Sequence, residues 1–258
     1  MTQDPDGAAR WHGSRDQALS FGAVAEGYER VRPGYPAEVA RWAFGDRPRR
    51  VVDVGAGTGK WTRVVRDLGH DVVAVEPDPG MRARLAGVLP DVEVLAGAGE
   101  ALPLPDGSVD AVTFAQSWHW VDPDAGTAEV ARVLRPDGRL VLVWNRRDPE
   151  APFTRAVATT VADVEPGLLE RSTADSSALA EVPRLPGPLV HDGTLEVRND
   201  VPLSLDDAVA LAATWSYVAL SAARDELLDG LRGRLEGLAD GGRVVLAQRA
   251  FAYRFRLV

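Results

Sequence analysis

The sequence predicts an α/β protein built on a doubly wound, mostly parallel sheet. Three observations carry that expectation. Val51-Val52-Asp53-Val54 is an apolar run holding one acid, and Gly55, Gly57 and Gly59 follow at every second position. Trp61, Val64, Val65 and Leu68 then share one helical face, closed by Gly69. Downstream, apolar runs keep alternating with helical patterns in the order β-α-β-α-β, one half of a doubly wound sheet.

Residues 1–15 are polar and read as loose. A helical face follows at Phe21, Val24, Tyr28 and Val31, and Pro33-Gly34 forces a turn. A second short helix starting at Pro36 carries Val39, Trp42 and Ala43. These two helices either cover a sheet edge or form a lid in which Tyr28, Arg32 and Tyr35 close over a ligand. After the glycine unit, Asp71–Val75 is a buried strand ending at Glu76, and Asp78-Pro79 caps a helix with Met81, Leu85 and Val88 inward. Residues 92–95 give a third strand and residues 109–114 a fourth, which leaves through Gln116-Ser117-Trp118-His119-Trp120. Asp122-Pro123 caps the next helix, Arg135-Pro136-Asp137-Gly138 is a turn, and Arg139 to Trp144 is a fifth strand leaving at Asn145. Beyond Asp148 the pattern weakens. Residues 149–165 read as a helix, 166–193 as an irregular insertion or cap, and Thr194 to Leu203 as a strand. Leu205 to Leu238 reads as one or two helices broken near Leu220-Ser221, and alternation from Phe251 to Leu257 marks a final strand.

Composition narrows the function. The chain has 258 residues, 45% hydrophobic and 26% charged, enough for one large globular domain. A net charge of −9 argues against nucleic acid and anionic membranes as partners. With no cysteine there is no thiolate ligand or nucleophile, and the four histidines are too scattered for metal-ligand spacing. No metal is expected. The polar start is no signal peptide and no run reaches membrane-spanning length, so a cytoplasmic protein is expected. A homodimer is left open.

The glycine turn specifies a ligand by what it lacks. A dinucleotide loop needs glycine where Lys60 stands, and a nucleoside-triphosphate loop needs Ser or Thr where Trp61 stands. Both pyrophosphate readings fail. What remains is a βα turn that presses main chain against a small molecule, followed by Glu76 at the end of the next strand. A carboxylate there is placed to accept both hydroxyls of a ribose.

Asp53-Val54-Gly55-Ala56-Gly57-Thr58-Gly59 resembles the first motif of class I S-adenosylmethionine-dependent methyltransferases. Val73–Asp78, Ala101–Asp110 and Glu129–Gly138 match further motifs in order and spacing, and Phe21–Tyr28 with Arg32–Pro36 is similar to the opening of a bacterial subgroup. Together they resemble the small-molecule branch called the type 11 methyltransferase domain. The resemblance implies a Rossmann-like seven-stranded sheet whose last strand, near residues 249–257, runs antiparallel. It implies a single domain over 1–258, with N-terminal lid helices at 1–45, a cofactor-binding core at 46–147, and a cap or insertion after strand 5 with the C-terminal strands at 148–258. The implied cofactor is S-adenosyl-L-methionine. Asp53, Gly55, Ala56 and Gly57 would meet its methionine half, Glu76 its ribose, and Pro77, Asp78 or Met81 its adenine. Ala98 and Gly99 would meet the adenine edge through backbone groups, since Ala98 stands where the family often has an aspartate. Tyr28, Arg32 and Gln116 complete the cofactor side.

Methyl transfer from a sulfonium needs positioning more than acid or base chemistry, and holding the acceptor in line supplies about 7–11 kcal/mol of barrier lowering. His119 is a candidate base for a hydroxyl or carbon acid, or else part of an aromatic wall with Trp118 and Trp120. Ser117, Trp118, Trp120, Asn145 and Tyr35 are expected at the acceptor, while Trp215 and Tyr217 belong to the cap or its core. No D/N-P-P-Y/F stretch of the amino-methylating nucleic-acid enzymes follows the fourth strand, which favours a small-molecule acceptor, as in secondary metabolism. Two rivals remain: a non-catalytic S-adenosylmethionine-binding protein, and a nicotinamide-dependent oxidoreductase, disfavoured by Lys60.

Overall fold

The structure, a computed structural model, describes residues 31–168 and 182–258. The expected helix before Val31, with Tyr28, lies outside the described residues. A helix α1 (Ala37–Phe44) precedes the run β1 (Arg50–Val54), α2 (Lys60–Asp67), β2 (Asp71–Val75), α3 (Pro79–Val88), β3 (Glu93–Leu95), β4 (Val109–Ala115), α4 (Pro123–Val133) and β5 (Leu134–Arg147). With β6 (Leu189–Arg198) and β9 (Gln248–Leu257) these strands form a seven-stranded sheet in the order β3-β2-β1-β4-β5-β9-β6. Strand β9 is antiparallel to both β5 and β6, while β1 to β5 pair in parallel.

Apolar runs make both faces of this sheet buried. Because side chains alternate along a strand, Val52, Val54, Val73, Val75, Val112 and Phe114 enter one core layer. Val51, Val72, Ala111, Val141 and Val143 enter the other, against α1 and the Trp61–Val65 face of α2. The expected caps form. Asp78 accepts from the Met81 amide at 2.8 Å, and Asp122 accepts from the Asp124 and Ala125 amides, each followed by proline in the first turn.

The second half differs from expectation in an informative way. The turn at 135–138 lies inside β5 as a bulge, since pairing jumps from Val109–Leu134 to Ala111–Arg139 and Asp137 adopts φ 61°. The strand expected at Thr194–Leu203 is two strands in two sheets. β6 ends at Arg198, and β7 (Val201–Ser204) pairs instead with β8 (Arg243–Leu246) in a separate ribbon. The expected final strand, residues 249–257, lies within β9, and β8 (Arg243–Leu246) precedes it as a separate strand. The insertion after strand 5 is therefore two excursions, residues 148–188 and 199–247, and both start from one corner of the sheet. There Asp148 N donates to Ala247 O at 3.0 Å and Asn199 N donates to Gln248 O at 2.9 Å. The excursions supply α5 (Pro152–Val164), α6 (Leu205–Ala213), α7 (Ser216–Ala219) and α8 (Arg224–Glu236). With the β7–β8 ribbon they bury a separate cluster around Phe153, Val161, Leu211, Trp215, Leu231 and Leu235. Among the described residues no helix is long and apolar enough to cross a membrane.

Candidate active site

Three glycines of the β1–α2 turn are needed for three different reasons. All have positive φ: 65° at Gly55, 56° at Gly57 and 86° at Gly59. A Cβ on Gly55 would lie 2.5 Å from Ser117 Cβ, so Gly55 lets the exits of β1 and β4 touch. A Cβ on Gly59 would press Leu85 and Leu89 at 3.0 Å, so Gly59 lets α2 pack on α3. A Cβ on Gly57 would meet nothing within 4 Å. Gly57 is the glycine of the turn that faces open space.

Glu76 clamps this turn. Its buried carboxylate accepts from the Gly57 amide at 2.8 Å and the Asp78 amide at 2.9 Å, one on each oxygen. Burial pushes its pKa up, against the pull of those two amides. Each carboxylate oxygen retains a lone pair, so both can still accept a hydroxyl. Asp53 lies beneath the turn, buried, with one oxygen accepting from Thr62 Oγ1 at 2.6 Å and the other, Oδ1, unpartnered. Burial pushes its pKa up to about 7 despite the Thr62 hydrogen bond. A ligand carrying a vicinal diol, as the ribose of S-adenosylmethionine does, matches the two Glu76 oxygens.

The adenine-side residues separate. Pro77 is exposed, and its carbonyl and that of Glu76 accept from Arg82 Nη1 at 2.7 and 2.9 Å. Met81 is buried on the inner face of α3 and does not flank a ligand. Ala98 is half-buried, and its carbonyl accepts from the Ala101 amide. At Gly99 a Cβ would lie 2.7 Å from Val121 and 3.1 Å from Phe114, so glycine lets this loop pack on the core.

The β4 exit splits as well. Gln116 adopts φ 59°, a conformation that costs a non-glycine residue about 1–3 kcal/mol. Its amide donates to Val143 O and its Nε2 to Asn145 O, both at 2.8 Å, which holds it against the end of β5. Ser117 and Trp118 are corrected from acceptor residues to structural ones. The buried Ser117 hydroxyl donates to Val54 O at 2.6 Å, and Trp118 packs edge-on against Phe114 at 4.8 Å inside the core. His119 and Trp120 remain half-buried side by side, with ring centroids 4.7 Å apart. A short 3-10 turn over Trp118–Trp120 turns these two rings away from the Trp118 direction.

The lid turn is tied down at several points. Asn145, expected at the acceptor, donates from Nδ2 to Gly34 O at 3.0 Å; Asn199 Nδ2 donates to the same carbonyl at 2.9 Å and to Asn145 Oδ1 at 3.0 Å. Arg32, expected at the cofactor, donates from Nε and Nη2 to Thr214 Oγ1 and O, both at 3.0 Å, which carries the turn to the cap. Tyr35 stands edge-on to Trp61 at 5.3 Å, at the start of α2 just after the glycine turn. Asn199 and Thr214 had no sequence signal, since asparagine in an Asn-Asp turn and threonine after a helix are ordinary punctuation. Arg82 was hidden among surface arginines.

Comparisons with known proteins agree with this geometry. A family model described as a methyltransferase domain matches residues 52–142, from β1 through most of β5. A methyltransferase of Mycobacterium tuberculosis, itself uncharacterised, is 42% identical over 220 residues, covering 84% of this chain and 86% of that one. The demethylmenaquinone methyltransferase of Beutenbergia cavernae is 43% identical over 113 residues, 43% of this chain and 47% of that one. A solved structure from Anaeromyxobacter dehalogenans, provisionally assigned as a type II methyltransferase, superposes with a TM-score of 0.60 at 24% identity and covers 87% of this chain and 96% of that one.

Proposed function

The chain belongs to the class I S-adenosylmethionine-dependent methyltransferases, and from that premise we propose that it methylates a small organic molecule by in-line displacement. The observation that carries this reading is the Glu76–Gly57 clamp, which fixes a diol acceptor beside the open side of the glycine turn. When bound, S-adenosylmethionine supplies a methyl group on a sulfonium, a leaving group already in place. Glu76 binds the ribose hydroxyls, Asp53 and the turn Gly55-Ala56-Gly57 hold the methionine half, and Ala98 and Pro77 border the adenine. Gln116 stands at the β4 exit, where its strained backbone is held by both Val143 and Asn145. His119 is the proton acceptor for a hydroxyl or carbon acid, with Trp120 as a wall beside it. The latched lid turn and the cap cover this end of the sheet, which favours a small acceptor over a polymer, as does the net charge of −9.

The test is isothermal calorimetry with S-adenosylmethionine and with NAD, followed by transfer of a labelled methyl group to acceptors in lysate of the source organism. Tight binding of the former alone and a labelled low-mass product are expected. Label that stays only in macromolecules would overturn the small-molecule reading, and binding with no transfer at all would leave a non-catalytic binder.

A further inference from the structure

Arginine 147 ends β5 and lies flat over the cap. Its guanidinium carbon is 4.0 Å from the centre of the Trp215 ring, and Nη1 reaches the Tyr217 hydroxyl at 3.5 Å. No carboxylate among the described residues pairs with it, although this is an acidic protein. Of its five donors, one meets a protein acceptor among the described residues, and the half-buried group stays open to a ligand. A second guanidinium, that of Arg32, grips Thr214, the residue next to Trp215. Both guanidiniums therefore reach the same turn of the cap, Thr214–Tyr217.

The position relates this pair to the reacting centre. Asn145 and Arg147 are two residues apart on β5, so they share a face and lie ~7 Å apart along the strand. The Asn145 carbonyl is the one that holds Gln116 at the β4 exit. On the same face Asn145 receives the lid turn. Moving outward along β5, one passes from the transfer position, under the lid, to a guanidinium backed by Trp215 and Tyr217, whose rings stack at 5.9 Å. A planar fork held on an aromatic face is set to bind an oxyanion by two parallel hydrogen bonds.

We propose that Arg147, seconded by Arg32, binds an anionic group of the methyl acceptor, a carboxylate or a phosphate, one short arm's length from the position of transfer. This rests on the methyl-transfer reading and gives that site a substrate class. The competing role for Arg147 is a staple that only fastens the cap to the sheet through Trp215.

The experiment uses the full chain saturated with S-adenosylhomocysteine, whose own binding is measured first by calorimetry. Succinate, citrate and inorganic phosphate are then titrated, with succinamide as the uncharged control. Binding of one anionic probe at millimolar concentration is expected, with none of succinamide, and the better of carboxylate and phosphate identifies the group. Arg147→Met keeps a stem against Trp215 and removes the charge; it should weaken the anion about 10–100-fold while S-adenosylhomocysteine affinity holds. Arg147→Lys, which keeps the charge and loses the fork, should fall between and serves if the Met variant does not fold. S-adenosylhomocysteine binding without any anion binding, or anion binding unchanged in both variants, overturns this proposal alone. Failure of S-adenosylhomocysteine to bind overturns the methyl-transfer reading and this proposal with it.

Discussion

Gly57 and Asp53 sit four residues apart in one turn and depend on opposite features of it. Gly57 needs space on its ligand side and a left-handed backbone. In Gly57→Val the β-branched side chain opposes φ 56° at about 1–3 kcal/mol and fills the open side of the turn. Calorimetry should show S-adenosylhomocysteine affinity down more than about tenfold with the fold retained by circular dichroism; unchanged affinity would remove the turn from the site. Asp53 instead suffers from being enclosed. Its folded pKa of about 7 lies above the ordinary aspartate value of 3.8, so between those values the native state holds a proton that the unfolded chain has released. Stability therefore falls as pH rises through that window and levels off above it, a loss of about 4 kcal/mol. Asp53→Asn, which cannot ionise, should remove that fall. Urea unfolding of both proteins at pH 5 and pH 8 should read about 2–3 kcal/mol of that fall in the wild type and none of it in the variant, and parallel pH dependences would show that Asp53 does not titrate there.

At the scale of elements, an asparagine pair joins Arg32 in holding the lid turn, and no sequence pattern advertises that pair. Asn199 makes two hydrogen bonds with one amide nitrogen, to Gly34 O and to Asn145 Oδ1. Losing a net bond of this kind costs about 0.5–1.5 kcal/mol. Asn199→Ala should therefore cost about 1–2 kcal/mol of global stability, raise hydrogen exchange over residues 34–39 and speed the dissociation of S-adenosylhomocysteine several-fold. Exchange and dissociation both at wild-type rates would show that the latch does not govern access. What was legible in the sequence follows from the range of the interactions. The caps at Asp78 and Asp122, the strands β1 to β5 and the acid at Glu76 are set by neighbours within a few residues, and periodicity reports those. The reasons for Gly55 and Gly59, the burial of Ser117 and Trp118, and the left-handed Gln116 depend on contacts between exits of different strands. A tryptophan at a strand exit reads alike whether it lines a pocket or, as Trp118 does, fills the core against Phe114. The division of residues 194–203 between two sheets was hidden for the same reason: Val197 and Val201 are both β-formers in sequence, and only their partners differ.

Across the whole molecule, two hydrophobic units meet at one corner, and the proposed cofactor and acceptor residues divide between them. The sheet layers support the glycine turn, and the cap cluster supports the Thr214–Tyr217 turn that receives Arg32 and Arg147. The two units meet where both excursions leave β5, β6 and β9, so the cap can loosen without disturbing β1 and β2. Leu231 offers a place to test that separation. It is 3% exposed on α8 and lines a small apolar cavity with Val157, Thr160 and Trp215. The space already present keeps the surroundings from closing on a deleted side chain, so Leu231→Ala should fall within the usual 2–5 kcal/mol for a buried leucine. The loss belongs to the cap. Hydrogen exchange should rise across α5, α6 and α8, and kcat/KM for the acceptor should fall as the backing of Trp215 loosens. The dissociation constant for S-adenosylhomocysteine should stay within about twofold, because Glu76, Asp53 and Gly57 rest on the other cluster, and distant sites with no shared partners add independently. Equal losses in cofactor affinity and acceptor turnover would show instead that the two clusters unfold as one unit and that the division of labour does not exist.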